Sequence, residues 1–294
     1  MANIIAHQDS DGIISAYLIQ KYVEKADRII FSNPSTIKDV IARSIIGEIN
    51  LDRLYILDIA GNDHAVHLSS VYGKTIWIDH HQWAPVTKYE NVEIYIMQEP
   101  SAAQVVSNVF NIDDYMVEMA NHIDQNDLKT SLERDFRDLI SAIRLFKGRA
   151  TQRTLEDLVN DLTKREVEKI ISENQEMIEN FRKYIDGIRK KIENDIIFMK
   201  INGKNIAILE TDENIPVYKI EEAMDSSKWD VLIVKYLRYG RDYTYTKLEF
   251  RSKNTDVLKI ARAFGGGGHI FAAGASLNGI ISFNDIINAI NLFI

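Results

Sequence analysis

Over residues 1–128, short continuous apolar runs alternate with segments whose apolar positions recur at helical spacing. The runs Asn3–Ala6, Arg28–Phe31, Leu54–Ile59, Thr75–Ile78 and Val92–Met97 predict five strands, with helices at Ile13–Val23, Ile37–Ile46 and Asp63–Tyr72 between them. A strand that is apolar on both sides is buried on both faces, so the alternation predicts a parallel sheet covered by helices above and below. After the fifth strand, Ser101 with Gln104 three residues on, and Pro100 just outside, predicts a capped helix start.

From Ile112 to Asn194 the spacing is helical throughout. In Lys164–Asn194, Val167, Ile170, Ile171, Ile178, Phe181, Ile185, Ile188 and Ile192 fall on one stripe. A single helix there would be roughly 45 Å long at 1.5 Å per residue. Its spacing is looser than sustained heptads, so it reads as a connecting helix rather than a coiled-coil arm; a homodimer stays open. Beyond Asp195, two apolar runs flank Asn202-Gly203, the signature of a two-residue hairpin. Val231–Tyr236 and Tyr243–Phe250 read as further strands and Asp256–Phe264 as a helix. The expected class is α/β: a parallel-sheet domain over 1–128, a helical linker over 129–194 and a smaller mixed α/β domain over 195–294.

Composition adds exclusions. Hydrophobic and charged contents of 46% and 27% are those of a globular protein. No apolar run reaches the ~18 residues of a membrane span. The first residues lack the basic and apolar regions of a signal peptide, so a cytoplasmic location is the default expectation. With no cysteine there is no disulfide, zinc-thiolate site or thiol nucleophile. The net charge of −8 argues against clamping long duplex DNA. The charge is also uneven: residues 1–128 carry a net −10 and the remainder +2. Such acidity is either a solvated face or a carboxylate cluster awaiting cations.

The motifs favour the cluster. The first strand runs into His7-Gln8-Asp9-Ser10-Asp11-Gly12, the third ends at Asp58, and the fourth ends Asp79-His80-His81. In an open parallel sheet the carboxyl ends of the strands form the ligand crevice, where these groups would meet. His7, Asp9 and Asp11, spaced by two, share one side of an extended chain. Taken alone, Asp58 reads as a helix cap and His80-His81 as a surface or core pair; Asp63, His64 and His67 are left to those ordinary roles. Together the three strand ends make a set of hard oxygens and imidazoles suited to two Mn²⁺ ions, with Mg²⁺ the alternative. Farther on, Gly265, Gly266, Gly267 and Gly268 let backbone N–H groups approach a phosphate, aided by the dipole of a helix expected to follow. His269 behind them, Arg251 and Ser252 on the preceding strand, and Arg262 on the helix leading in complete a candidate substrate site.

His7-x-Asp9-x-Asp11-Gly12, Asp58 and Asp79-His80-His81 resemble, in order and spacing, the first three motifs of the DHH phosphoesterase family. Gly265–His269 with Ala272-Ala273-Gly274 resembles the glycine-rich signature of that family's associated C-terminal domain. The Asp9–Ala16 segment resembles the RecJ-like and nano-RNase-like branch more than the inorganic pyrophosphatase branch. For the fourth motif the choice is Asp124, with Asp127 the alternative. The resemblance implies one ion on His7, Asp9 and Asp58, and a second on Asp11, Asp58, His80 and Asp124, with Asp58 bridging. It places His81 beside the phosphoryl group and makes Asp79 the group that orients a neighbouring histidine.

The expected activity is a Mn²⁺-dependent phosphodiesterase or exonuclease that releases mononucleotides from short single-stranded RNA or DNA oligonucleotides. The alternatives are a phosphatase of 3′-phosphoadenosine 5′-phosphate, a cyclic or linear dinucleotide phosphodiesterase and, from another class, a non-catalytic RecJ-like replication scaffold. An intact set of apparent ligands argues against the scaffold.

Overall fold

The computed structural model describes residues 2–46, 51–239 and 243–293. Its contacts divide into two compact units, Met1–Phe181 and Arg182–Ile294.

The first unit is built on a five-stranded parallel sheet: β1 Ala2–His7, β2 Ala26–Ser32, β3 Arg53–Leu57, β4 Lys74–Asp79 and β5 Val92–Ile96. The strand order is β2-β1-β3-β4-β5. Side chains alternate between two apolar faces, which is why the strands read as continuous runs. Ile4, Ala6, Tyr55, Leu57, Ile76 and Ile78 face one core, and Ile5, Leu54, Ile56 and Trp77 face the other. The first core is covered by α1 Ser10–Leu18, α4 Ala102–Phe110 and α5 Tyr115–Asp124, and the second by α2 Ile37–Ile45 and α3 Asp63–Ser69. The helix after β1 begins three residues earlier than its apolar spacing suggests, capped by Asp9, and ends in a π-helical turn over Ile19–Val23.

Four more helices follow: α6 Ser131–Phe146, α7 Thr151–Leu162, α8 Val167–Glu173 and α9 Gln175–Ile192. Phe136, Leu139, Leu155, Val159, Val167 and Ile170 join the core of the first unit, and the unit boundary falls within α9. Every residue of the stripe expected on Lys164–Asn194 is buried. The single long helix expected there is two helices. Asn174 breaks the ladder, its amide donating to the Ile170 carbonyl at 2.8 Å and its backbone N–H to Ile171 at 3.0 Å.

The second unit holds a mixed sheet in the order β10-β11-β9-β8-β7-β6. Its elements are β6 Ile197–Ile201, β7 Lys204–Thr211, α10 Val217–Ala223, β8 Val231–Tyr239, β9 Thr244–Ser252, α11 Leu258–Ala263, β10 Gly267–Gly268, β11 Ala272–Asn278 and α12 Phe283–Phe293. The expected hairpin is there: Ile201 pairs with Lys204, and Asn202 and Gly203 take φ of +49° and +84°, as a type I′ turn requires. Among the described residues, no helix is long and apolar enough to cross a membrane.

Candidate metal centre

In a parallel sheet ordered β2-β1-β3-β4-β5 the order in which strands are added reverses between β1 and β3, and ligands bind outside the strand ends at such a switch point. β1 and β3 deliver His7 and Asp58 there, and β4 beside them delivers Asp79 and His80.

His7 closes β1, and its Nδ1 lies 2.6 Å from Asp9 Oδ2 and 3.6 Å from Asp58 Oδ2. Asp9 caps α1, accepting the Gly12 N–H at 3.1 Å. A β-carbon on Gly12 would sit 2.2 Å from the His7 carbonyl oxygen, so only glycine lets the helix start this close to the strand. Asp11 does not share an extended side with His7 and Asp9, as its spacing suggested. It lies in the first turn of α1, where its carboxylate accepts the backbone N–H groups of Ala102 and Ala103 at 2.6 and 2.8 Å, the positive end of α4.

Asp58 follows β3 in a left-handed conformation, φ +57°. It caps no helix: α3 is capped by Asn62, which accepts from Ala65 N. The side chain is 2% exposed, and its Oδ2 has no hydrogen-bond partner. A buried carboxylate oxygen left this way is costly unless something positive binds it.

His80 is the hub. Its Nδ1 faces the Glu99 carbonyl at 3.2 Å, which fixes the proton there and turns Nε2 toward the acids. Nε2 lies 3.6 Å from Asp11, 3.6 Å from Asp58 and 3.7 Å from Asp124. These distances exceed hydrogen bonds but suit donors arranged around one cation. Asp124 ends α5 and reaches this point; Asp127 is exposed and pairs with Lys129 at 2.5 Å. Asp79 is fully buried between two donors, His81 Nδ1 at 2.7 Å and Trp83 Nε1 at 2.5 Å. It therefore orients His81. Trp83 was missed from the sequence, where a tryptophan in the loop after the motif carries no signal of its own.

The electrostatics are those of an acid cluster short of positive charge. Burial works against a charged His80, but Asp58, Asp11 and Asp124 overcome it and push the imidazole up to about 11. Burial likewise opposes a charged His7, while Asp9 and Asp58 lift it to about 10. Burial, reinforced by Asp58, raises Asp11 well above the carboxylate range. Burial also lifts Asp124 to about 6, with Asp58 and Asp9 adding to it against His80. Protons are held where divalent cations would neutralise the charge. Within the first unit, the donor groups whose ligand atoms lie within 4.8 Å of one another include His7/Asp9/Asp58, Asp11/His80/Asp124 and Asp58/Asp79/His80/His81. Hard oxygens with neutral imidazoles, and the Asp58 oxygen with no hydrogen-bond partner beside the first two groups, fit a pair of such ions.

The second unit treats its residues differently from the sequence expectation. No helix follows the glycine run; β11 does, and the run serves the ends of neighbouring elements. Gly265, at φ +72°, donates to the Arg262 carbonyl and Gly266 to the Ala261 carbonyl, closing α11 in a Schellman motif. Gly267 and Gly268 pair with Gly274 and Ala273 of β11. A β-carbon on Gly266 would lie 2.1 Å from the Gly274 oxygen, so two backbones touch where a side chain cannot fit. Arg251 on β9 lies 3.3 Å from Glu249 and 3.7 Å from Glu221. The Ser252 hydroxyl closes the turn after β9, accepting from Asn254 N and Thr255 N. Arg262 is exposed on α11, and His269 N donates to the Ala272 carbonyl at 2.8 Å.

No family model matches the sequence, and comparison with curated proteins found no match. Solved structures do share the fold. PggH, a pGpG-specific phosphodiesterase from Vibrio cholerae, aligns over 99% of this chain and 98% of its own, at 17% identity and a TM-score of 0.59. An exopolyphosphatase-related protein from Bacteroides fragilis aligns over 99% and 90%, at 13% identity and a TM-score of 0.50. At these identities the likeness is one of fold. The two-domain α/β fold expected from the apolar pattern is the fold of this chain, and these solved structures share it.

Proposed function

We propose that the protein is a Mn²⁺-dependent phosphodiesterase that hydrolyses short linear oligonucleotides to mononucleotides, with linear dinucleotides its preferred substrate class. The observation that carries this is the convergence of His7, Asp9, Asp11, Asp58, His80 and Asp124 at the switch point, around a buried Asp58 oxygen with no hydrogen-bond partner. The dinucleotide preference draws on the PggH likeness, whose printed substrate is pGpG.

His7, Asp9 and Asp58 would hold one cation, and Asp11, Asp58, His80 and Asp124 the other. Such a pair supplies Lewis acidity, neutralising phosphoryl charge and making water a better nucleophile near neutral pH. The chain's own residues supply the rest. With its Nδ1 facing the Glu99 carbonyl, His80 would offer Nε2 to a cation once the proton held there is released. His81, held through Nδ1 by Asp79, keeps Nε2 for a phosphoryl oxygen or the leaving oxygen. Arg251, Gly267, Gly268 and His269 would take the far phosphate or nucleoside, with Ser252 and Arg262 in support.

A turnover panel tests this: pGpG, 3′-phosphoadenosine 5′-phosphate, a cyclic dinucleotide and a long single strand, each with Mn²⁺ and with excess EDTA. The linear dinucleotide is expected to be cleaved fastest, and chelation to stop every reaction. Full activity in EDTA would sink the metal mechanism, and preferential turnover of the bisphosphate would make the enzyme a phosphatase.

A further inference from the structure

Away from the metal centre, the opposite ends of α1 and α5 meet in a polar knot at the surface, formed around one buried carboxylate. Asp114, the N-cap of α5, has a side chain only 2% exposed. Capping occupies one of its oxygens: Oδ1 accepts the Met116 N–H at 2.9 Å. The other oxygen takes three donors from α1 and the π turn that extends it: Tyr17 OH at 2.7 Å, Tyr22 OH at 2.6 Å and Lys21 Nζ at 3.3 Å. Lys21 also lies over the Tyr17 and Tyr22 rings, 5.0 and 4.8 Å from their centroids. A neutral Ser or Asn would cap the helix as well as Asp does. A buried carboxylate with three extra donors is more than a cap requires.

The two helices joined here are the ones that carry acids into the metal centre. α1 begins with Asp11 and runs to the knot; α5 begins at the knot and ends with Asp124, roughly 15 Å away at 1.5 Å per residue. Their other ends meet at His80, whose Nε2 lies 3.6 Å from Asp11 and 3.7 Å from Asp124. On its open side the knot borders a cavity of about 670 Å³.

We propose that Asp114 is a positioning residue for the metal centre: by tying the end of α1 to the start of α5, it sets the spacing between Asp11 and Asp124. The inference rests on the metal-centre reading above. Asp114→Asn tests it, because asparagine keeps the cap but loses the anion that gathers the three donors. The measurements are thermal unfolding and Mn²⁺ affinity by calorimetry on the full chain, with Tyr17→Phe as a second variant touching only the α1 side.

Asp114→Asn should unfold near the wild-type temperature, yet bind the weaker Mn²⁺ less tightly, because the two helices no longer hold Asp11 and Asp124 at a fixed spacing. Tyr17→Phe should shift the same affinity in the same direction by a smaller factor. Wild-type Mn²⁺ affinity in both variants would overturn the clamp and leave the metal centre standing. A wild-type protein that binds no Mn²⁺ would overturn the metal centre, and the clamp with it.

Discussion

Asp58 is a non-glycine residue at φ +57° with a buried oxygen that has no hydrogen-bond partner, and both features cost stability where no function uses them. Asparagine tolerates the same conformation and has nearly the same shape. Asp58→Asn should therefore leave metal-free unfolding within a few degrees of wild type. What it should lose is the stabilisation by added Mn²⁺, which for the wild type amounts to about 2.7 kcal/mol at a hundredfold excess over Kd. Thermal scans with EDTA and with Mn²⁺ measure both, and an undiminished Mn²⁺ response in the variant would remove Asp58 from the ligand set. A second residue gives a pH signature in the other unit. Burial opposes charge on Glu249, but Lys247 and Arg251 hold its carboxyl at about 2, against an ordinary value of 4.5. A depressed acid stabilises the fold above its unfolded pKa and loses that contribution as pH falls toward its folded one. Acid unfolding of the second unit should steepen between pH 4.5 and 2, and Glu249→Gln should flatten it in a pH series of urea melts. An unchanged profile would mean that other carboxylates dominate.

The outer edge of β2 shows how one element protects another. Three of its outward backbone groups are taken by side chains of α7. Gln152 accepts from Phe31 N at 3.0 Å and donates to the Ile29 carbonyl at 3.0 Å, while Glu156 accepts from Ile29 N at 3.3 Å. Positions four apart on a helix thus stand in for a further strand and close an edge open to aggregation. Gln152→Ala removes two such bonds and should cost about 1–2 kcal/mol and promote association on heating. Chemical melts and light scattering check it; a wild-type melt would show that water replaces the glutamine without penalty. Little of this was legible in the sequence. The five strands were, because burial on both faces writes them as apolar runs. Asp58 and Asp79 were, because they stand at strand ends; Asp124, at the end of a helix, was reached only through the family resemblance, and Asp11 was found but misplaced on an extended chain. The break at Asn174 was hidden, because the apolar stripe continues across it from Ile171 to Ile178 while one amide ends the first helix. The short elements α10 and β11 were missed as well: β11 reads Ala272-Ala273-Gly274-Ala275-Ser276, too small and polar to signal a strand, and is fixed by pairing with β9.

At the scale of the molecule, charge and fold divide the chain in the same way. The first unit, Met1–Phe181, carries a net −11 and the whole acid cluster, whereas Arg182–Ile294, at +3, includes the candidate anion-binding residues. If chemistry belongs to the first unit and substrate capture to the second, a lesion in the second should be visible only with substrates large enough to need capture. The glycine run offers a clean probe, because its members are constrained differently. Gly266 cannot accept a β-carbon, and Gly266→Ala should disrupt the second unit outright. Gly267 has nothing within 4 Å of where a β-carbon would lie, so Gly267→Ala should fold normally. It should nevertheless hinder close approach of a phosphate to that backbone, and so raise KM on a linear dinucleotide. Arg251→Ala should do the same more strongly, since a charge-assisted contact is worth about 1.5–3 kcal/mol, roughly ten- to a hundred-and-fifty-fold in affinity. Both variants should turn over bis-p-nitrophenyl phosphate, a small activated ester, at the wild-type rate with Mn²⁺. Asp11→Ala should lose both reactions. If Gly267→Ala and Arg251→Ala slow the small ester as much as the dinucleotide, the second unit takes part in the chemical step and the division is wrong. If neither variant alters either substrate, the glycines are there for the Schellman cap and the hairpin alone, and the far end of the substrate is held elsewhere.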